Sequence, residues 1–406
     1  MKLCVLFLAL AISLNFHTGY AGSPGFVSTR GREIVDAGGK PLLLRGVNLG
    51  NWLVPEGYMF KFKHANSPRK IQDVICELVG PAEAQAFWRE YREAYITRND
   101  IQRIKKLGLN SVRVPFNHKL FSPEDAPGVW SGPGLDMLDR VVGWCKEAGV
   151  YVVLDMHCAP GGQTGDNIDD SWGNAFLFQS SESRALAAET WRRIAERYAN
   201  ESTVIGYDLL NEPIAPFTDT TRLNPLLEPT YQEIVRAIRT VDTNHIVFLG
   251  GAQWDGNFRV FGAPFDSKAV YTFHKYWCDT TQAMIQEYVD FRNKYNVPLW
   301  MGESGENKDG WVASWRRLME KNSIGWCFWP YKKMDAPSCI MTFDRPEGYE
   351  EVIRYANASR ESYEEIRKAR PSIETARKAL QGFLENCKFP KCRQNDGYVN
   401  ALGSSN

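Results

Sequence analysis

The chain has 406 residues, of which 44% are hydrophobic and 24% charged, with Lys+Arg and Asp+Glu both numbering 48. That is an ordinary globular composition for one large domain or two modest ones, with a sizeable core to bury. Zero formal net charge argues against an electrostatic footprint for nucleic acid or an anionic membrane. Aromatic residues reach 13% and include 13 Trp. Flat rings of this kind stack on the apolar faces of pyranoses, while a Trp-rich core is their other use.

In chain order, the first segment reads as a signal peptide over residues 1–21. Lys2 supplies positive charge, residues 3–14 are apolar, and Gly19-Tyr20-Ala21 offers a small-x-small cleavage site. The apolar stretch is short for a membrane span, so a secreted or periplasmic mature chain is expected. Two short segments, 26–28 and 33–36 with Gly38-Gly39 after them, read as a hairpin capping the bottom of the domain. Near-continuous apolar runs then predict strands at 43–47, 111–115, 150–156, 204–210, 246–250, 270–274, 298–303 and 324–329. Helical patterns lie between them at 100–107, 135–148, 183–199, 229–241, 281–294 and 310–321, and a closing helix is read over 361–386.

Strands covered on both faces and alternating with helices fit an α/β fold of the closed (β/α)8 barrel type. A doubly wound sheet is the alternative, but no Gly-rich phosphate loop follows the first strand. No linker or repeat interrupts the chain, so residues 22–386 are read as one barrel domain and 387–406 as a C-terminal tail. Eight cysteines remain after the signal segment. Cys387 and Cys392 form the best local disulfide pair, whereas Cys145 and Cys327 sit in apolar runs and read as buried thiols. No Cys/His spacing resembles a zinc site.

Functional residues of such barrels gather at the C-terminal ends of the strands. Glu212 in Asn211-Glu212-Pro213 and Glu303 in Met301-Gly302-Glu303 are each the first carboxylate after an apolar run. Two facing carboxylates are the minimal equipment for cleaving a glycosidic bond. The other ends carry Arg113, Asp155 and His157, His274 and Tyr276, and Trp329 before Pro330. Asp155 shares strand parity with His157 and reads as a structural hydrogen-bond partner. Taken singly, each has a plainer explanation: a turn, a satisfied structural histidine, a salt bridge, a core tryptophan. Glu306 in the same loop is a rival carboxylate. Their joint appearance in strand order carries the site.

This set resembles glycoside hydrolase family 5, the cellulase-like retaining β-glycosidases, over roughly the whole mature barrel. The resemblance implies Glu212 as acid/base and Glu303 as nucleophile. It implies that Arg113 supports the nucleophile, that His157 and Asn211 line the sugar subsite, that His274 and Tyr276 orient the carboxylates, and that Trp329 is the stacking floor. It also implies a cis peptide between Trp329 and Pro330. Physically, the Arg113 cation should lower the pKa of Glu303, while Glu212 should be the carboxyl raised and protonated. Residues 45–52 and 158–163 look like the exo-β-1,3-glucanase branch, from which 302–306 and 326–333 depart. Loops 159–173 and 332–349 are expected to shape the cleft, with Trp172, Trp254 and Trp277 as candidate sugar platforms. The expectation is a secreted, monomeric retaining β-glycosidase acting on a β-linked oligo- or polysaccharide, without metal or cofactor. A transglycosylase using the same carboxylates and a non-catalytic carbohydrate-binding barrel are the alternatives.

Overall fold

The alternation of apolar strands with amphipathic helices resolves into a closed ring. The computed structural model describes residues 25–404, so the signal segment expected over 1–21 lies outside the described residues. Eight parallel strands follow one another around the barrel: β1 (Arg45–Asn48), β2 (Ser111–Asn117), β3 (Tyr151–Cys158), β4 (Val204–Asp208), β5 (Ile246–Gly250), β6 (Ala269–His274), β7 (Leu299–Glu303) and β8 (Gly325–Phe328). β8 pairs back onto β1, with Cys327 opposite Gly46. Closure rules out the open, doubly wound alternative. Gly46 also faces Ser111 across β1 and β2, where a Cβ would meet the Ser111 hydroxyl at 2.6 Å, so only glycine fits.

Strand alternation divides the side chains between two cores. On β3, Val152, Leu154 and Met156 point outward into the large cluster beneath the helices. Val153 points inward and joins Leu44, Ile205, Phe248, Val270 and Trp300 as an apolar floor. Val27 and Ile34 belong to that same floor. They come from the N-terminal hairpin, where Ser28–Arg30 pairs antiparallel with Glu33–Val35. The hairpin therefore plugs the bottom of the barrel, as its position before β1 predicts.

Four barrel helices match their expected spans closely: Arg98–Lys106, Gly134–Ala148, Ser181–Tyr198 and Asp309–Lys321. The helix expected at 281–294 opens with a 3-10 turn and runs over Gln286–Tyr295. The one expected from 229 begins earlier, at Thr220, with Pro225 and Pro229 inside it. Its buried stripe of Leu223, Leu227, Tyr231, Ile234 and Ile238 carries the helix through both prolines.

Two further helices, Pro68–Val79 and Pro81–Ala94, fill the connection between β1 and the first barrel helix. Each starts on a proline, which the first helical turn tolerates because its N–H has no partner there. The closing segment splits around Pro371 into Tyr363–Ala369 and Ile373–Asn386. Phe383 from the latter stacks on Phe60 at 5.0 Å, within a group that includes Trp88 and Tyr91. Much of the aromatic content is thus core.

The C-terminal stretch read as a tail is structured as far as it is described. Arg393–Gln394 adds a third strand to Lys332–Met334 and Met341–Phe343. Asp396–Ala401 is a helix whose end is tied down by Arg316 Nε, which donates to the Ala401 carbonyl at 3.0 Å. Cys387 and Cys392 are not bridged, and all eight cysteines among the described residues are free thiols. Cys387 ends a helix and packs into the core, where its Sγ points at the Leu384 carbonyl. Cys145 and Cys327 are buried thiols, as their apolar runs imply.

Because Ile34 seals the barrel floor, Ile34→Ala should destabilise the fold by about 2–4 kcal/mol. Denaturant titration checks this as a lower midpoint at unchanged slope. A loss of only a few tenths would mean that the hairpin does not contribute to the core.

Candidate active site

The mouth of the barrel is organised around one guanidinium. Arg113 projects inward from β2 and is wholly buried. Its Nε donates to Asp208 at 2.8 Å, its Nη1 to Glu303 at 2.5 Å and to Asn48 at 3.1 Å, and its Nη2 to Asn211 at 2.9 Å. Asp155 lies 3.1 Å from Nη2. Burial alone would disfavour the charge, but Asp155, Asp208 and Glu303 more than restore it. The carboxyls of Asp155 and Asp208 are pushed up to about 7 by burial, against the pull of Arg113.

A polar layer lies against that cation. His157 is held neutral, lowered to about 3 by burial. Asn211 gives its carbonyl to Arg113, which turns its amide nitrogen toward His157 Nε2 at 3.3 Å. Nε2 must then accept, so the imidazole proton sits on Nδ1 and is donated to Asp155 at 2.8 Å. Gln163 locks the backbone beneath, donating from one amide to the carbonyls of His157 and Asn211 at 2.8 and 2.7 Å. Trp329 stacks flat against His157, 5.6 Å between ring centres and 9° from parallel. The Trp329-Pro330 bond is cis, as the resemblance implies.

Glu212 and Glu303 face each other across this layer with different partners. Glu303 accepts from Arg113 through Oε1 and from Tyr276 through Oε2, the latter at 3.0 Å. Glu212 Oε1 lies 2.9 Å from His274 Nδ1, and His274 is kept neutral by burial, with Arg113 and His157 adding to the effect. Glu212, His274 and Glu303 each place a ligand atom within 4.8 Å of the others. A cation would accept that spacing, although Arg113 already supplies positive charge at Glu303 and His274 Nδ1 is engaged by Glu212.

The acidities of the two carboxyls differ from the simplest expectation. Burial raises Glu212 well above the usual carboxylate range, and the charge of Glu303 raises it further. Burial raises Glu303 as well, so Arg113 does not bring it below its ordinary value. Arg113, His157 and the Tyr276 hydrogen bond oppose that rise. The order survives: Glu303 is the more acidic of the pair.

Backbone geometry aims the acidic pair. Glu212 and Ile214 adopt φ of 47° and 57°, a left-handed conformation costing about 1–2 kcal/mol per residue outside glycine. The Glu212 carbonyl accepts from Thr164 Oγ1 at 2.7 Å, and its amide donates to Asp255 at 3.3 Å. Asp255 comes from the turn after β5, and its Oδ2 also lies 3.2 Å from His274 Nε2. The rival Glu306 is turned elsewhere, paired with Lys333 at 2.6 Å.

All eight expected site residues therefore converge. Sequence reading missed Asn48, Gln163, Asp208, Asp255 and the buried Glu56, whose carboxyl is raised by burial and by Glu303 and Glu306. Asp208 carried a signal, as a carboxylate inside an apolar strand requires a buried partner. Asn48 and Gln163 lie in the segments 45–52 and 158–163 that look like the exo-β-1,3-glucanase branch, a signal that marked the segments and not the residues, and Asp255, on the turn after β5, carried none. Trp172, Trp254 and Trp277 are exposed, by 67%, 38% and 73%, and they are the only tryptophans so exposed among the described residues. Trp172 lies under the Arg69 guanidinium at 3.9 Å, and Trp277 leans on Tyr276 and donates to the Glu306 carbonyl.

Removing Asp208 would leave Arg113 without one of its buried counter-charges. Asp208→Ala should therefore cost about 3–5 kcal/mol of stability, read from urea unfolding. A cost below 1 kcal/mol would show that Asp155 and Glu303 suffice to hold the guanidinium.

The cellulase (glycosyl hydrolase family 5) model matches residues 76–335, more than half of the chain. A beta-xylosidase of Phanerodontia chrysosporium is 32% identical over 238 residues, covering 58% of this chain and 48% of the relative. Endoglucanase C of Acetivibrio thermocellus is 28% identical over 316 residues, covering 63% of this chain and 89% of the relative. Glucan 1,3-beta-glucosidases of Aspergillus and Lachancea species also match. The chain thus spans about half the length of the xylosidase and most of the endoglucanase. Among solved structures, an endogalactoceramidase superposes with a TM-score of 0.60 at 18% identity, over 93% of this chain and 84% of its own, a likeness of fold. With the family model lying across seven of the eight barrel strands, and the barrel and its strand-end carboxylates in place, the chain belongs to glycoside hydrolase family 5.

Proposed function

We propose that this protein is an exported, retaining β-glycosidase that hydrolyses a β-linked glucan or a related glucoside by double displacement. The carrying observation is the close opposition of Glu212 and Glu303, with a ligand atom of each inside 4.8 Å, one on a neutral imidazole and the other on a guanidinium. Retaining enzymes keep their carboxyls about 5–5.5 Å apart, whereas inverting ones need about 6.5–9.5 Å to admit a water. The close spacing supports the former. The names of the relatives support a β-glycan substrate. The leader-like residues 1–21 support export.

Each step has a named group. Glu212, held protonated by burial and by its neighbour's charge, gives its proton to the glycosidic oxygen. Glu303 attacks the anomeric carbon, and the aglycone leaves as an alcohol. Tyr276 shares its hydroxyl with the nucleophile's Oε2 and holds the carboxylate for in-line attack. Asn211, fixed between Arg113 and His157, has a second amide hydrogen for the sugar 2-hydroxyl. The glycosyl ester withdraws the charge from Glu303, so Glu212 becomes more acidic and serves as base for the incoming water.

Glu303→Gln should reduce turnover to background, and Glu212→Ala should lose about 10²–10⁴-fold on substrates with poor leaving groups. Anomeric NMR on the first active substrate should show retention. A first product of inverted configuration would remove the double displacement.

Tyr276→Phe supplies a separate test by pH. The Tyr276 hydrogen bond lowers the pKa of Glu303, so its loss raises that pKa, and protonated Glu303 cannot attack. The acid limb of kcat/KM should move to higher pH while the alkaline limb, set by Glu212, stays. An unmoved acid limb would dissociate Glu303 from it.

A further inference from the structure

The loop that follows Glu212 and the turn after β5 hold an exposed aromatic corner. Phe217 (64% exposed), from the loop after β4, meets Trp254, from the turn after β5, at 6.2 Å and 71°. Three consecutive residues of that turn, Gln253, Trp254 and Asp255, have φ of 52°, 60° and 60°. None is glycine, so the conformation is strained and must be imposed by its contacts.

Those contacts tie the turn to the acid/base loop. The Gln253 amide donates to the Ile214 carbonyl at 2.9 Å. Asp255 is buried and accepts from the Glu212 amide. Trp254 therefore stands between a residue bonded at 214 and one bonded at 212, which seats its backbone against the loop that carries Glu212.

The polar side chains around this corner are turned toward one another. Gln253 Nε2 donates to Asn224 at 2.8 Å, and its Oε1 accepts from Asn257 at 2.7 Å. Thr218 Oγ1 donates to the Ala215 carbonyl at 2.7 Å. What the corner offers is two rings beside the exposed Pro216 and the Trp254 indole N–H, with its side-chain amides and hydroxyl already spent on the loops. Such rings can stack on the apolar face of a pyranose, but with so few donors and acceptors left the corner gives a sugar's hydroxyls little to bind, which favours an apolar group.

We propose that the leaving-group side of this cleft is built for a hydrophobic aglycone, aryl or alkyl, received by Trp254 and Phe217. The inference rests on the glycosidase reading, in which Glu212 protonates the departing oxygen and so marks the aglycone side. The bond broken is that between the anomeric carbon and this oxygen. Its electron pair leaves with the aglycone, and the proton from Glu212 completes the alcohol or phenol.

The test compares octyl and methyl β-glucosides, whose leaving groups differ in apolar surface far more than in acidity, alongside β-linked glucose disaccharides. In the full chain, kcat/KM for the octyl glucoside should exceed that for the methyl glucoside about tenfold or more. Trp254→Gly should bring this ratio toward one, and glycine is at ease at the left-handed backbone of that position. Phe217→Ala, on a different loop, should lower the ratio independently. Cleavage of the disaccharides with an octyl-to-methyl ratio near one, or a ratio that neither variant changes, would overturn the proposal while sparing the glycosidase reading. Failure to cleave any of these substrates would overturn both.

Discussion

The buried guanidinium of Arg113 sets the terms on which the rest of the barrel mouth is arranged. A cation taken wholly out of water is tolerable only when closely paired and fully hydrogen-bonded. The fold meets that demand with five residues from four strands or their ends: Asn48, Asp155, Asp208, Asn211 and Glu303. Arg is suited to the task because its planar fork presents five donors in fixed directions. Each partner is consequently fixed in orientation as well as position. The strand ends are tied together by the same group that holds Glu303.

That arrangement leaves an excess of acid around one base. Asp155, Asp208 and Glu303 share a single cation, and His157 and His274 stay neutral because burial penalises their charged forms. Three carboxylates cannot all be ionised cheaply in such a space, which is why burial lifts every one of them. Of the two facing carboxyls, Glu303 has the better claim to its charge, having both the guanidinium and the Tyr276 hydroxyl. Glu212 has only an imidazole and a neighbouring negative charge. The division of labour between two identical side chains thus comes from their surroundings.

The barrel was legible in the sequence because its strands are apolar on both faces and its helices carry a periodic stripe, patterns that depend only on local order. The strand-end residues were legible for the same reason: each polar group interrupts an apolar run at the point where the chain must surface. Asp155 and His157 show this well, as their shared parity placed both on one face of β3 before any contact was known. The helix from Thr220 was harder, since Pro225 and Pro229 signal a break that tertiary burial of Leu223 and Leu227 overrides. The C-terminal strand and helix were missed because they are short and owe their form to partners distant in sequence. Asp255 was invisible for a related reason, since its role depends on a turn brought beside Glu212 by folding.

Loops, more than strands, distinguish this barrel from a generic one. Arg113, His157 and Glu303 stand on regular strands, where extended backbone positions them without strain. Glu212, Ile214, Gln253, Trp254 and Asp255 instead sit in left-handed backbone. Such conformations persist only where surrounding contacts over-determine them. Here some of those contacts run between the two loops, through the Gln253 amide to residue 214 and the Glu212 amide to Asp255, and others come from the loop after β3, where the Gln163 carbonyl accepts from the Ile214 amide and Thr164 donates to the Glu212 carbonyl. Glu212 and the aromatic corner are therefore mechanically linked, and under the proposed mechanism a change that relaxes either loop should disturb both proton transfer and the surface offered to the leaving group.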